Sequence, residues 1–377
     1  MFKFLKRTVA SILVLYLALF GVTKLIRYPE PISAIKLGLA PASKTPDLMP
    51  AHIIQPASSV RTLATSSATL PATVNYGGDE ISLDKFYAET KTNAFLVLKN
   101  GKLVYEKYFN GTTKDKLLPT YSMAKTLTSI MIGQLIDAGK IKESDTFVSI
   151  LPEYKVGTDF DKITIKDLLD MNSGLGVSDN YPTGPSGWGV AIAQMYASTD
   201  LYWWLHHNQK MREVPGTHPE YRSVNTQLLG MIIKKVTGQS VSDYFQSHVW
   251  QEVGAANKAT WNVDNQNGIE KTFCCFNATA EDFARVGLMV ANGGEKVISP
   301  TWLKRMSTPA VTLDYGWGYS AQTWIPFPGT KMFLGLHGQY IYIQGDVIVV
   351  KLSDIPTSAD ATSKKIVPVL QQIASMV

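Results

Sequence analysis

A serine three residues ahead of a lysine sets a hydroxyl and an amine on one face of a helical turn. Such a pair does chemistry once the amine can shed its charge. The spacing occurs three times in this chain of 377 residues: Ser33–Lys36, Ser82–Lys85 and Ser122–Lys125. Three occurrences make the bare tetrapeptide weak evidence, and context separates them. Ser33 lies in a proline-rich stretch. Ser82 opens SLDKFYAE, where serine is a favoured helix N-cap. Ser122 stands at the threshold of Lys125–Ala138, which is apolar nearly all round (Leu127, Ile130, Met131, Ile132, Leu135, Ile136). A helix without a polar face belongs at the centre of a sizeable protein, where a hydroxyl and an ammonium have no routine structural task. Desolvation there lowers a lysine pKa, the amine can then activate the hydroxyl, and the helix N-terminus favours developing negative charge. An N-cap serine followed by a snorkelling lysine would give the same letters.

The surrounding elements can be read coarsely. Ala94–Tyr108 holds two β-rich runs around Asn100-Gly101, a strong hairpin signal. Helical stretches follow around 164–171, 190–209 and 226–249, then Glu281–Asn292 and Pro300–Met306. Late strands are expected at Gly318–Ile325, Met332–Leu336, Tyr340–Gln344 and Val347–Leu352. Strands at both ends with helices between them predict a mixed α/β sheet whose first and last segments pair, plus a helical lobe. No internal repeat is visible. Tyr202, Trp203 and Trp204 are consecutive on one helix, cannot share a face, and read as core packing.

Composition narrows the function classes. With 45% hydrophobic and 18% charged residues the chain can bury a core. Its net charge of +5 is scattered, with no run of four Lys/Arg, which argues against a nucleic-acid partner. The two cysteines are neighbours, Cys274 and Cys275; adjacent cysteines rarely bridge, so they are expected to pack as small apolar residues. The six histidines lack HExxH spacing, and no metal or other cofactor is implied.

The front end differs from the rest. Lys3, Lys6 and Arg7 precede an apolar stretch, Val9–Val22, closed by Lys24 and Arg27. It is short of the roughly 20 residues of a spanning helix and suits a signal h-region. Residues 21–27 (GVTKLIR) lack a small-x-small cleavage site. Residues 1–28 are therefore expected to be an uncleaved signal anchor held in the membrane by residues 9–22, with the body on the extracytoplasmic or periplasmic side. A cleaved signal and a buried core helix are the alternatives. Residues 29–75 contain seven of the 19 prolines and no apolar periodicity, as a tether or wrapping arm would. The globular domain is placed at 76–377.

From about Tyr76 onward the sequence resembles the serine β-lactamase and penicillin-binding-protein-like hydrolases, and within them the class C-like esterases and 6-aminohexanoate-dimer hydrolases. Five blocks in order carry the resemblance: YSMAK (121–125), ITIKDLLDMNSGL (163–175), PGTHPEYRSVNTQLLGMIIKKVTG (215–238), FNATAEDFARVGLMVANGG (276–294) and LGLHGQYIYI (334–343). The resemblance implies a β-lactamase/transpeptidase-like fold, an antiparallel sheet flanked by helices plus a helical lobe. It implies Ser122 as acylated nucleophile, Lys125 as its proton partner and Tyr221 as the phenol that serves the leaving group. Lys125 would supply the cation that brings this phenol towards phenolate. Ser223, third in Tyr221-Arg222-Ser223, matches the 6-aminohexanoate-dimer type and is expected near the substrate.

The resemblance is incomplete at the late strand, where penicillin-recognising members carry Lys-Thr-Gly and this chain reads FLGLHGQ (333–339). Two registers keep a glycine. Phe333-Leu334-Gly335 makes Leu336 the oxyanion amide and is preferred; Leu336-His337-Gly338 would make it Gln339. The Ser122 amide is the other donor. His337 and Gln339 are expected near the substrate, as are Tyr181 and Trp188 in the 176–190 loop, where the amide-hydrolysing members suggest a tyrosine that closes over the substrate. Ser178-Asp179-Asn180 imitates the second motif of class A β-lactamases, but no Lys-Thr-Gly follows, and it reads as a coincidental loop tripeptide. The expected activity is hydrolysis of small-molecule esters or linear amides through an acyl-enzyme. A peptidoglycan DD-peptidase and a non-catalytic envelope binding protein are the rivals; the missing lysine argues against the first and the intact Ser122, Lys125 and Tyr221 against the second.

Overall fold

Asn100 and Gly101 both adopt positive φ (50° and 74°), the geometry of a tight hairpin turn between strands Thr92–Lys99 and Lys102–Tyr108. This hairpin lies within the main sheet. The computed structural model describes residues 2–179, 191–356 and 359–377. Among them, nine strands form that sheet: β1 (Ala64–Thr65), β2 (Thr92–Lys99), β3 (Lys102–Tyr108), β4 (Val311–Thr312), β5 (Gly318–Ser320), β6 (Thr323–Ile325), β7 (Thr330–Gly335), β8 (Gln339–Gln344) and β9 (Val347–Ser353). Their order is β4-β5-β6-β7-β8-β9-β2-β3-β1, antiparallel throughout except for the parallel pair β1–β3. The late strand β9 pairs with the early β2, Val347 opposite Lys99 and Leu352 opposite Ala94, so the two ends of the domain close one sheet as expected.

The central strands are buried on both faces, which is why they read as near-continuous apolar runs. Alternation still sorts them. Leu96, Leu98, Ile341, Ile343, Ile348 and Val350 face one core, shared with helices α2 (Met123–Asp137), α3 (Ser223–Thr237) and α4 (Ala280–Ala291). Phe95, Val97, Tyr340, Tyr342, Val347 and Val349 face the other, covered by α5 (Ala359–Met376) through Ile366, Leu370 and Ile373. The second face had no helix in the sequence reading, because Pro368 interrupts the apolar pattern of α5.

Two expected long helices are broken. The 226–249 stretch stops at Gly238, left-handed at φ 69°, and restarts behind the Ser240 cap. The 190–209 stretch divides into Ala191–Ala197 and Leu201–His206, the second capped by Asp200. The Gly318–Ile325 strand also divides, at Ala321-Gln322, both at positive φ.

Ahead of the sheet, helix α1 (Phe2–Leu25) includes a 22-residue apolar segment, Phe4–Leu25, none of it buried. At 1.5 Å per residue this covers about 33 Å, enough to cross a bilayer core, so the apolar helix is longer than the 9–22 stretch suggested. Residues 29–75 lie along the body. Ala51–Ile54 pairs with Ala259–Asn262 in a second sheet, Ser43 bonds Asp354, and His52 bonds Glu270.

Candidate active site

Ser122 precedes the first turn of α2, a helix whose residues are almost all buried. It occupies the N-cap position, yet its side chain makes no capping hydrogen bond. Ser82, by contrast, caps its helix by accepting from the Lys85 amide, as its sequence context predicts. The Ser122 hydroxyl is instead 2.8 Å from Lys125 Nζ, which removes the capping explanation for this serine. Tyr121 just before it is held at φ +44°, an uncommon conformation for a bulky residue and a mark of a chain forced into a sharp turn. Its ring packs edge-on against His337, with centroids 4.7 Å apart.

Lys125 is 1% exposed and donates three hydrogen bonds: to Ser122 Oγ, to Ser223 Oγ (2.9 Å) and to the Phe273 carbonyl (2.9 Å). Burial pulls its ammonium down to about 7, and the negative charge of Asp179 opposes that fall. The lysine is therefore poised between ammonium and free amine near neutral pH.

Tyr221 lies over this pair: Lys125 Nζ is 5.0 Å from its ring centroid, and its hydroxyl bonds the Ser122 side chain. Its ring stacks on Trp324 (5.6 Å) and meets Tyr319 edge-on (6.1 Å). Burial, then the charge of Asp179, push the phenol well up, against the Ser122 hydrogen bond. The expectation that Lys125 draws Tyr221 towards phenolate finds no support, because burial and then Asp179 dominate and both favour the protonated phenol.

Asp179 enters here although the sequence reading set it aside. Its carboxylate accepts from both the Ser223 amide (2.8 Å) and the Ser223 hydroxyl (2.5 Å). Burial raises this carboxyl above its ordinary value, against the downward pull of Lys125, the two Ser223 hydrogen bonds and Arg222. Ser178 Oγ bonds Glu220, and buried Arg222 joins Glu213 (2.6 Å) to Glu220 (2.8 Å), so the 178–179 segment is clamped onto the Tyr221 block. Ser178 and Asp179, read as coincidental loop text, are thus tied to the site; Asn180 lies outside the described residues. No local signal announced it, since Asp179 lies 42 residues before Tyr221 and meets its partner Ser223 only once the chain has folded.

The late strand meets the Thr120–Ser122 backbone through Gly335. A Cβ there would sit 2.1 Å from the Thr120 carbonyl oxygen and 3.3 Å from the Ser122 amide, so only glycine fits. Leu336 follows at the start of the β7–β8 turn, where Gly335 pairs with Gln339. The other expected residues of this segment are braced: His337 Nδ1 is 2.5 Å from the Ile355 carbonyl, and the Gln339 side chain donates to Ser353 O and His337 O while accepting from the Ser353 amide. Ser223 likewise spends its hydroxyl on Lys125 and Asp179 and is buried. Tyr181 and Trp188 lie outside the described residues.

Cys274 and Cys275, expected to remain separate, are joined as a vicinal disulfide. The positive φ of Cys275 (71°) turns the two side chains towards each other, and the bridged pair directly follows Phe273, whose carbonyl holds Lys125.

Residues 86–359 match the Beta-lactamase family model. The chain belongs to the β-lactamase family. A relative in Paenarthrobacter ureafaciens, a 6-aminohexanoate-dimer hydrolase, is 29% identical over 301 residues, covering 73% of this chain and 75% of the relative. A solved structure from Bacillus anthracis, assigned to the 6-aminohexanoate-dimer hydrolases, superposes with a TM-score of 0.77 over 92% of this chain and 95% of that one, at 24% identity. The octameric penicillin-binding protein homologue from Pyrococcus abyssi shares the fold at a TM-score of 0.58 and 18% identity, over 77% of this chain and 76% of that one. This family member is accordingly a hydrolase with the serine β-lactamase fold.

Proposed function

We propose that this hydrolase cleaves small esters or linear amides through an acyl-enzyme on Ser122. The observation that carries the reading is the 2.8 Å contact between Ser122 Oγ and a lysine whose ammonium is drawn down to about 7. Free-base Lys125 takes the Ser122 proton as Oγ attacks the substrate carbonyl. The Ser122 and Leu336 amides, brought together by the close approach of Gly335, stabilise the oxyanion. Tyr221, protonated at rest, gives its proton to the departing alcohol or amine, and the acyl-enzyme remains. The resulting phenolate then takes a proton from water as that water attacks the acyl carbon. Lys125 returns its proton to Ser122 Oγ when the acid leaves, and both groups are restored.

Linear amides are favoured by the likeness to the Paenarthrobacter hydrolase, whose name gives its substrate as 6-aminohexanoate dimer. The uncharged Phe333-Leu334-Gly335 at the late strand also favours substrates without a carboxylate at that place. The apolar, unburied helix α1 supports anchoring in the membrane with the catalytic body outside the cytoplasm. Stopped-flow release of nitrophenolate from a short-acyl nitrophenyl ester is the test. A burst matching the enzyme concentration is expected from the wild type and none from Ser122→Ala. Equal release from both would overturn the reading.

A further inference from the structure

The direction of one hydroxyl leads further than the acyl-enzyme reading, on which this step rests. An ionised carboxylate only accepts hydrogen bonds. Asp179 takes the Ser223 amide on one oxygen and the Ser223 hydroxyl on the other, so the hydroxyl proton of Ser223 points at Asp179. What Ser223 offers Lys125, 2.9 Å away, is then a lone pair. The Phe273 carbonyl, at the same distance, can offer nothing else. A neutral amine has two N–H bonds and one lone pair. With both N–H bonds claimed by Ser223 and Phe273, the lone pair is left facing Ser122 Oγ.

We infer that Asp179, acting through Ser223, is a positioning residue that aims the Lys125 lone pair at the Ser122 hydroxyl. Without the carboxylate, the Ser223 hydroxyl is free to turn and donate to Lys125 instead. It would then occupy the lone pair that Ser122 needs. The amide of an asparagine at 179 favours that reversal, because its NH2 donates where the carboxylate oxygen accepted.

The charges around Lys125 come from several elements. Tyr221 faces it from the 215–222 block, Asp179 from the preceding loop, and Phe273 contributes only a carbonyl and a ring face. Arg222 acts on Asp179 and is itself paired with Glu213 and Glu220. Asp314 acts on Tyr221, and Tyr221, Asp170 and Asp179 act on neighbouring Tyr319. Of these, Asp179 holds the Lys125 pKa up, so its removal lowers that pKa. The acid limb of kcat/KM, set by the free-base fraction of Lys125, should move to lower pH even as the plateau falls. A general loss of packing has no reason to produce that pairing.

The experiment measures kcat/KM against pH for nitrophenyl acetate, using the full chain. Its variants are Asp179→Asn, Asp179→Glu, Ser223→Ala, the Asp179→Asn/Ser223→Ala double, and Ser122→Ala as control. Asp179→Asn is expected to lower the plateau about ten-fold or more and to move the acid limb down in pH, and Asp179→Glu to recover part of the rate. The double variant should have the plateau of Ser223→Ala alone, because both changes break one relay. Wild-type plateau and limb in Asp179→Asn, or penalties that multiply in the double variant, would overturn the inference. Should Asp179→Asn fail to fold, Ser223→Ala carries the test: its plateau is expected to drop about ten-fold with the limb in place, and an unchanged plateau overturns the relay. Activity surviving in Ser122→Ala would instead defeat the acyl-enzyme reading itself.

Discussion

At the scale of single residues, environment separates Lys125 from Tyr221, the two groups to which the proposed mechanism gives the proton transfers. Burial lowers the lysine to about 7 and raises the phenol, so one is available as base and the other as acid at the same pH. A consequence follows for leaving groups. Nitrophenolate departs without protonation, whereas an amine does not. Tyr221→Phe should therefore slow linear-amide hydrolysis about 100-fold or more and nitrophenyl-ester acylation much less. Equal losses on both substrates would show that the tyrosine serves another step. Ser122 and Lys125 were legible because their relation is local, three residues within one helical turn. Asp179 was not, because its meaning depends on Ser223, 44 residues later and reached through folding. The disulfide was hidden for a similar reason: whether neighbouring cysteines meet depends on the backbone turn at Cys275, which no residue type announces. No thiol should titrate in the unfolded, unreduced protein, and two should after reduction; a thiol found before reduction would contradict the bridge.

At the scale of elements, Ser122 is placed by a helix start pressed against a strand end. Gly335 is the contact point, and its lack of a side chain lets β7 approach the Thr120–Ser122 backbone. Gly335→Ala should push Leu336 out of line and lower kcat about 100-fold, the usual cost of one oxyanion donor, with a smaller change in KM. Unchanged kcat would mean that Leu336 is not a donor. Strand and helix identities were largely readable from apolar pattern and turn residues, the Asn100-Gly101 hairpin most plainly. The break at Ala321-Gln322 was not, since neither residue favours positive φ. Buried contacts impose it: the Ala321 amide bonds Asp170, the Gln322 amide bonds the Leu169 carbonyl, and the Gln322 side chain bonds Leu168 and Thr226. Tertiary hydrogen bonds there outweigh local preference.

At the scale of the whole molecule, the proline-rich arm ties the apolar N-terminal helix to the catalytic body. His52 on the arm bonds Glu270, which also receives the Ser242 amide. The Glu270 bond raises the His52 pKa above its ordinary 6.5. For Glu270, burial alone would raise the carboxyl, but the His52 and amide hydrogen bonds leave it below 4.5. A raised histidine stabilises the fold fully below about 6.5 and loses that contribution as pH rises through its folded pKa; a lowered carboxyl contributes above about 4.5 and loses it as pH falls. The Tm difference between wild type and His52→Gln should thus be largest between those values and shrink on going alkaline. A difference that does not vary with pH would remove this pair from the account.

The proposed function turns on one covalent event. Mixing the full chain with a slowly deacylating ester, quenching in acid within the first turnover, and mapping the digested peptides by mass should place the acyl group on the peptide carrying Ser122, one group per chain. An acyl group on any other residue, or none trapped while product accumulates, would contradict the account.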